Sequence, residues 1–139
     1  MAEIKSQADT AMMVAASGMR AQQARMRIIA ENLANANSTS RVAGGDPYRR
    51  QVPIFEPQAV GGGEGVRMSR VEPDRKAFRT TYDPGHPAAN AEGYVALPNV
   101  DSLVEALDMK EAQRAYEANL NVIETARSME MRTLELLKR

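Results

Sequence analysis

His86 is the only histidine of this 139-residue chain and the first side chain to consider for catalysis or metal binding. It lies in Pro84-Gly-His-Pro87, a sequence typical of tight turns. A metal site or an acid–base site needs several donor side chains at suitable spacings, and none is spaced in that way near His86. We therefore predict a structural or merely exposed role for His86, and we expect neither a metal nor a cofactor.

The glycine-rich run and the basic groups are no better candidates for chemistry. Gly61-Gly-Gly-Glu-Gly65 lacks the Gly-Lys-Ser/Thr ending of a phosphate-binding loop, so we interpret it as a turn. We interpret Tyr48-Arg-Arg50 and the pair Arg25/Arg27 as solvated faces or as ion pairs to a neighbour. We predict no catalytic residue and no enzymatic activity. An enzyme whose Ser–Lys or carboxylate pair is assembled only by folding is the remaining alternative of that class.

The composition excludes several classes of partner. The chain carries 18 basic and 18 acidic side chains, whereas nucleic-acid binding needs a basic excess. No apolar run approaches the length of a membrane span, and the start of the sequence lacks the apolar core of a cleaved signal peptide. There is no cysteine, hence neither a disulfide nor a thiolate metal site. We expect no nucleic-acid partner and no direct membrane insertion.

An apolar or small residue recurs at alternating steps of four and three near both ends of the chain. We call the run from Ala8 to Ala36 the N-terminal seam and the run from Ala112 to Leu136 the C-terminal seam. This spacing is typical of helices that pack lengthwise against other helices, and it predicts helices over residues 4–36 and 102–137. The large seam residues, which we predict to make the assembly contacts, are Met12, Met19, Met26, Ile29, Leu33, Val122, Met129 and Leu136.

The middle of the chain has short strand-like segments separated by turn residues. These segments are residues 48–55, 66–71, 78–82 and 93–97. The first two are predicted to form a hairpin across the glycines, with Pro53 restricting its strand to an edge. Ser102 and Glu105 have the spacing of a capping box and are predicted to begin the C-terminal helix.

The predicted fold is mainly α with a small β insert, in which long N- and C-terminal helices pack as a coiled-coil-like pair. We expect one structural unit made of an N-terminal assembly helix (1–40), a small β/loop region (41–100) and a C-terminal assembly helix (101–139). Aromatic residues make up only 4% of the chain. Because two long helices with so few large apolar residues bury little surface, we expect neighbouring subunits to supply the missing burial.

Asn32, Asn35 and Asn37 form a polar cluster at the end of the predicted N-terminal helix. Asparagine is a poor helix former, but it hydrogen-bonds exposed backbone groups and tolerates left-handed conformations. We predict that the helix frays near Asn35 to Asn37. We also predict that the cluster satisfies backbone groups of the following turn or of an adjacent helix in the assembly; the alternative is that these asparagines only face solvent at a helix end.

Two motifs resemble the signatures of bacterial flagellar axial proteins, the rod and hook family. One is Ala16–Ser38, whose centre is Asn32-Leu-Ala-Asn-Ala-Asn37. The other is Tyr116-Glu-Ala-Asn-Leu-Asn-Val-Ile-Glu-Thr125, which contains Tyr116 and Asn119. Residues 84–101 are similar to a narrower group, the proteins of the proximal rod. The length of 139 residues agrees with this narrower group, because distal-rod and hook members of the family carry larger inserted β domains.

The resemblance implies a structural subunit of the rod, the drive shaft that transmits torque from the motor to the hook. It implies export by the flagellar type III apparatus without a cleaved signal peptide, and a location in the periplasmic part of the basal body. The implied partners are copies of the chain, other proximal- and distal-rod proteins, the rod–ring adaptor, and basal-body ring and export-gate proteins.

Two other readings stay open besides the enzyme. One is the sister protein of the proximal rod, although the stretch from Gly93 to Val100 speaks against it. The other is a soluble helical adaptor or export chaperone. Secretion would distinguish this second reading from a rod subunit, because a chaperone stays in the cytoplasm whereas a rod subunit is exported.

Overall fold

The structure is a computed structural model that describes residues 2–138, with side chains from Gln7 to Lys138. Along the sequence, four strands lie between two long helices. Their bounds in chain order are α1 Ala2–Ala34, β1 Gln51–Val60, β2 Gly63–Pro73, β3 Arg79–Tyr82, β4 Tyr94–Leu97 and α2 Ser102–Leu137. The predicted fold class, long terminal helices around a small β region, is confirmed.

The strands form two separate two-stranded sheets. β1 and β2 are joined by Gly61 and Gly62, which have φ angles of 53° and 88° and so favour glycine. β3 and β4 pair antiparallel, with Arg79 opposite Leu97 and Tyr82 opposite Tyr94. The predicted hairpin and both short strands are confirmed, although β1 and β2 are longer than the sequence indicated.

The chain divides into two compact units, which are described separately. Unit 1 contains the stretch that ends at Met26, Ile54–Arg70, and the stretch that begins at Lys110. Unit 2 contains Arg27–Pro53 and Val71–Met109. How the segments 1–40, 41–100 and 101–139 act as assembly elements stays a prediction.

In unit 1, α1 and α2 run antiparallel. Arg25 forms an ion pair with Glu111 (Nη2–Oε2 3.5 Å), whereas Gly18, about two turns earlier on α1, lies against Asn119 further along α2. A Cβ on Gly18 would lie 2.6 Å from Nδ2 of Asn119, so the glycine permits this close approach. The small side chains Ala15 and Ala112 are buried. The two helices therefore pack lengthwise and antiparallel in this unit.

The hairpin of unit 1 packs against α1 through the glycine-rich run. Thr10 Oγ1 donates to the carbonyl of Gly61 (2.9 Å), and the amide of Val66 donates to Ser17 Oγ (3.2 Å). A Cβ on Gly63 would lie 2.8 Å from Thr10 Cγ2. The run is therefore more than the turn that the sequence predicts, because its second half lies in β2 and lets the backbone approach the helix.

Unit 2 buries both apolar and polar side chains, which come from several segments of the chain. The buried apolar residues include Ile28, Ile29, Ala88, Val95 and Val100. Asn32 and Glu105 are buried among the polar residues of the same unit. Polar groups in such a position are stabilised only when they are hydrogen-bonded.

The capping box at Ser102 and Glu105 is wrong. Asp101 caps α2, because its Oδ1 accepts from the amides of Leu103 (3.0 Å) and Val104 (3.4 Å). The Glu105 side chain is instead buried and pairs with Arg50. Because the Glu105 carboxylate is paired with Arg50 in the interior, it does not cap α2.

Candidate assembly site

The large residues of the N-terminal seam are less exposed than those of the C-terminal seam. Ile29 is buried, and the other four large residues of this seam are partly buried. These four are Met12, Met19, Met26 and Leu33. Whether any of these five residues also contacts a neighbouring subunit stays a prediction.

The C-terminal seam has large residues that stay largely exposed in the part of the chain whose side chains are described. Val122, Met129 and Leu136 keep 45%, 54% and 66% of their surface exposed. The smaller seam residues Ala112 and Ala126 are buried. Further along the last turns, Met131, Leu134 and Leu137 are exposed as well. The end of α2 thus presents an unusual amount of apolar surface to solvent.

An apolar groove of about 400 Å³ lies between the two helices of unit 1. We call it the seam groove. Its lining includes the small residues Ala8 and Ala11 from α1 and Ala126 from α2, together with the larger residues Val122 and Met129. Because alanines leave space between helices, the groove can accept large apolar side chains.

Asn32 is the most highly bonded residue of the asparagine cluster. Its Oδ1 accepts from the Tyr48 hydroxyl (2.7 Å) and from the amide of Gln51 (2.9 Å), and its Nδ2 donates to the carbonyl of Gln51 (2.9 Å). Burial raises the pKa of Tyr48, and the nearby carboxylates Glu31 and Glu105 raise it further. Asn32 therefore fixes the beginning of β1 against α1.

The prediction that Asn32 satisfies the following turn or a neighbouring helix is corrected, because its backbone partner is in β1. The solvent-facing alternative is also wrong for this buried residue. Asn35 Nδ2 donates to the carbonyl of Glu31 (2.8 Å), and residues 35–37 form a turn, so the predicted fraying is confirmed. Asn37 is exposed. α1 ends at Ala34, two residues earlier than predicted.

The residues of the second motif lie on α2. Tyr116 and Asn119 are both partly buried. Asn119 faces Gly18 of α1, so one residue of each motif region takes part in the same helix contact.

Arg50 organises a cluster of carboxylates that the sequence did not reveal. Its Nε donates to Glu105, which is 0% exposed, and Nη1 lies 3.1 Å from Asp74 Oδ2. Asp108 is 3.7 Å from Nη2. Burial acts to lower the pKa of Arg50, but the hydrogen bonds and charges of Glu105 and Asp74 outweigh it and raise this pKa above its usual range. The expected solvated face is thus wrong for Arg50, which makes its ion pairs within the chain.

Arg49 also has intrachain partners. Its guanidinium carbon lies 4.2 Å from the ring centre of Phe78, and Nη1 donates to the carbonyl of Asp74 (2.9 Å). No sequence signal links Arg49 or Arg50 to these partners, because an arginine beside another arginine is also typical of exposed surface.

His86 closes its own turn. Its Nδ1 accepts from the amide of Ala88 (3.0 Å). Over the residues that the structure describes, no three His, Cys, Asp or Glu side chains are grouped in a way that could hold a metal ion. None of the helices in residues 2–138 combines the length and the apolar character needed to cross a membrane.

Comparison with known families and proteins places these features in context. The family described as "Flagella basal body rod protein" matches residues 12–41. The family described as "Flagellar basal body rod FlgEFG protein C-terminal" matches residues 91–136. The first match includes the asparagine cluster, and the second includes β4 and most of α2.

Individual relatives match nearly the whole chain. The flagellar basal-body rod protein FlgC of Agrobacterium fabrum is 46% identical over 127 residues, which is 90% of this chain and 91% of that protein. The protein of the same name from Borreliella burgdorferi is 40% identical and covers 90% and 94% of the two chains. That of Salmonella typhimurium is 38% identical and covers 88% and 92%. Because this similarity spans both terminal helices and the β region between them, the chain belongs to the family of flagellar basal-body rod proteins FlgC.

Proposed function

We propose that this chain is a structural subunit of the proximal rod and that it polymerises through its two terminal helices into the drive shaft between motor and hook. The exposure of Val122, Met129 and Leu136 on the C-terminal seam carries this proposal. Each large apolar side chain that a neighbouring subunit covers contributes about 1.5–3 kcal/mol. In the proposal, residues 1–40 and 101–139 are the assembly helices and residues 41–100 the insert between them.

The proposed partners are copies of the chain, the other proteins of the proximal and distal rod, the rod–ring adaptor, and the ring and export-gate proteins of the basal body. Contacts that build a shaft are heterologous, because a symmetric contact closes on itself. The proposed location is the periplasmic part of the rod, reached through the flagellar type III apparatus without a cleaved signal peptide. A structural role, not an enzymatic one, is part of the proposal.

The names of the relatives favour this reading over the two other open readings. The proteins from Agrobacterium fabrum and Salmonella typhimurium are both named FlgC, a basal-body rod protein. A sister protein of the proximal rod and a cytoplasmic adaptor or chaperone have no comparable support.

The test is Leu136→Asp, produced in a flagellated strain that lacks its own copy of the gene. Leu136 is mostly exposed, so the substitution leaves the fold of the chain intact. Secretion of the variant should be normal, whereas its amount in purified basal bodies should fall about tenfold or more, since an uncovered seam position becomes charged. Met26→Asp should also block assembly, but Met26 is partly buried and its substitution affects folding as well.

Gln113→Asp is the matched control, because it introduces the same charge at an exposed polar position of α2. His86→Ala is the second control, and both variants should enter basal bodies normally. Wild-type amounts of Leu136→Asp in basal bodies, with normal swimming, would show that the C-terminal seam is not an assembly surface.

A further inference from the structure

Methionine provides all the sulfur of this chain, which contains nine methionines and no cysteine. Among the methionines whose side chains the structure describes, Met131 and Met129 are the most exposed, with 58% and 54% of their surface open to solvent. Met13 follows with 45%, but its Sδ lies at the place that a Cβ on Gly61 would need, so the hairpin turn covers the sulfur from one side. The other described methionines are partly buried. The two most accessible thioethers therefore lie near the end of α2.

We propose that Met129 is an oxidation site that controls assembly: a peroxide converts its thioether to the sulfoxide, and the oxidised chain is excluded from the rod. This inference rests on the proposed function, since it concerns the regulation of the C-terminal seam through which the chain polymerises. Sulfoxide formation turns a flexible apolar side chain into a polar one, and such a change disrupts interfaces that contain methionine. The modification is reversible, so the excluded chain is not lost.

The reaction at Met129 needs a peroxide and an open approach to the sulfur. The Sδ lone pair attacks one oxygen of hydrogen peroxide, the O–O bond breaks, and a proton moves from the attacked oxygen to the departing hydroxide, which leaves as water. The sulfur is oxidised by two electrons and the peroxide is reduced by the same two. A thiol-dependent methionine sulfoxide reductase restores the thioether and releases water, while its own thiols become a disulfide. The periplasm, which is the proposed location of the chain, is an oxidising compartment.

Met129 and Met131 are similarly exposed but lie on different sides of α2. Residues two positions apart on a helix are separated by about 200° around its axis, whereas Met129 and Leu136, seven positions apart, share a side. Met129 belongs to the C-terminal seam and lines the seam groove together with Val122 and Ala126. A sulfoxide at Met129 therefore places a polar oxygen in the apolar surface that a neighbouring subunit covers in the proposed assembly. Burial of a polar group without a hydrogen-bond partner is unfavourable, so the oxidised seam should assemble poorly.

The test is a competition between two chains inside one strain that lacks its own copy of the gene. The strain produces the wild-type chain together with Met129→Leu, which keeps an apolar side chain of similar size but cannot form a sulfoxide. Trypsin cleaves after arginine, so residues 128–132 form one peptide whose mass distinguishes the two chains. The ratio of the chains in purified basal bodies, relative to their ratio in the secreted, unassembled fraction, is measured with and without hydrogen peroxide. General damage by peroxide affects both chains alike and cancels.

We expect peroxide to raise the relative incorporation of Met129→Leu several-fold, with the Met129 sulfoxide present in the unassembled wild-type chain. Met131→Leu is the matched control, since Met131 is as exposed as Met129 but lies off the seam, and it should gain no advantage under peroxide. A third competition, of wild type against Met129→Gln, needs no oxidant. Glutamine places an amide oxygen, a hydrogen-bond acceptor like the sulfoxide oxygen, on a side chain of similar length. Its incorporation should fall several-fold below that of the wild type.

The amount of wild-type chain in basal bodies and its ratio to the variants report on different claims. A wild-type chain that is absent from basal bodies without peroxide contradicts the proposed function. A wild-type chain that is present, and whose ratio to Met129→Leu stays unchanged while the Met129 sulfoxide forms, overturns the oxidation site alone. An advantage for Met131→Leu instead overturns it equally. So does a Met129 that stays reduced at a peroxide concentration that oxidises the partly buried Met19.

Discussion

Arg50 and Glu105 are 55 residues apart in the sequence, and the guanidinium of the first donates to the buried carboxylate of the second. The other carboxylate oxygen of Glu105, Oε2, has no hydrogen-bond partner among the described residues. Arg50 is therefore the group that compensates the negative charge at the beginning of α2. Asp74 and Asp108 share the same guanidinium.

We expect Arg50→Met to lower the free energy of unfolding by about 3–5 kcal/mol, because it leaves the Glu105 carboxylate buried and uncompensated. Glu105→Met should lower the free energy of unfolding by less, since Arg50 keeps Asp74 and Asp108 as partners. The double variant Arg50→Met/Glu105→Met should recover most of the loss, because a packed apolar pair replaces the ion pair. Urea unfolding of the four purified chains measures these differences. Equal losses for the two single variants would contradict this account.

The stability of the fold should depend on the ionisation of Asp74. A hydrogen bond from the amide of Lys76 is the main cause that holds the pKa of Asp74 below its usual range; burial opposes it, and the neighbouring Arg50 guanidinium lowers this pKa further. A carboxyl group with a depressed pKa in the folded state stabilises that state above its ordinary pKa of about 3.9. This contribution is lost as the pH falls through the lower folded-state value.

Asp74→Asn should therefore be less stable than the wild type at neutral pH, and the difference should narrow as the pH falls below about 4. Urea unfolding of both chains along a pH series measures the difference. A gap in unfolding free energy that stays constant to the acid limit would show that the loss comes from packing and not from the charge of Asp74.

Asn32 and Asn35 provide a matched pair of substitutions within one motif. Asn32→Leu removes three hydrogen bonds from a buried site and takes this partner from the Tyr48 hydroxyl and from the backbone amide and carbonyl of Gln51. It should therefore lower the free energy of unfolding by about 2–3 kcal/mol or more. Asn35→Leu removes a single exposed bond to Glu31 and should cost less than about 1 kcal/mol. Thermal or urea unfolding gives both values. Similar losses of unfolding free energy for the two variants would show that the Asn32 hydrogen bonds are not the stabilising part of the motif.

The purified monomer should exchange amide hydrogens fastest in its terminal segments. We expect rapid exchange in 1–36 and 110–139 and slower exchange in the β region, because two long helices with few large apolar residues bury little surface and, in the proposed assembly, neighbouring subunits cover the exposed seam of α2. Hydrogen exchange followed by mass spectrometry measures this pattern at peptide resolution. Uniformly strong protection of both helices in a verified monomer would contradict it.

The sequence predicts much of the local structure because the relevant signals are local. The seams indicate two helices, and α2 extends over Ser102–Leu137 as predicted. Glycines between strand-like segments indicate the hairpin that β1 and β2 form. Alternating steps of three and four residues, and turn residues between strands, act over distances of a few residues, so no tertiary information is needed to recognise them.

The wrong predictions concern residues whose roles depend on partners that are distant in the sequence. Glu105 has the spacing of a capping residue, yet Asp101 caps α2 and Glu105 is buried against Arg50. The spacing of Asn32 and Asn35 is three residues, but only Asn32 is fixed by β1. A local pattern gives the position of such a side chain on its helix, but not what packs against that face.

The sequence by itself thus determines the two long helices, the hairpin and the resemblance to the rod and hook proteins, since periodicity and motifs are properties of neighbouring residues. Only the tertiary structure decides that the large residues of the N-terminal seam are at least partly buried while Val122, Met129 and Leu136 of the C-terminal seam stay exposed. It also decides that Arg50 neutralises Glu105. Both outcomes depend on which surfaces the folded chain brings together, and a helical repeat specifies a face of a helix without specifying its partner.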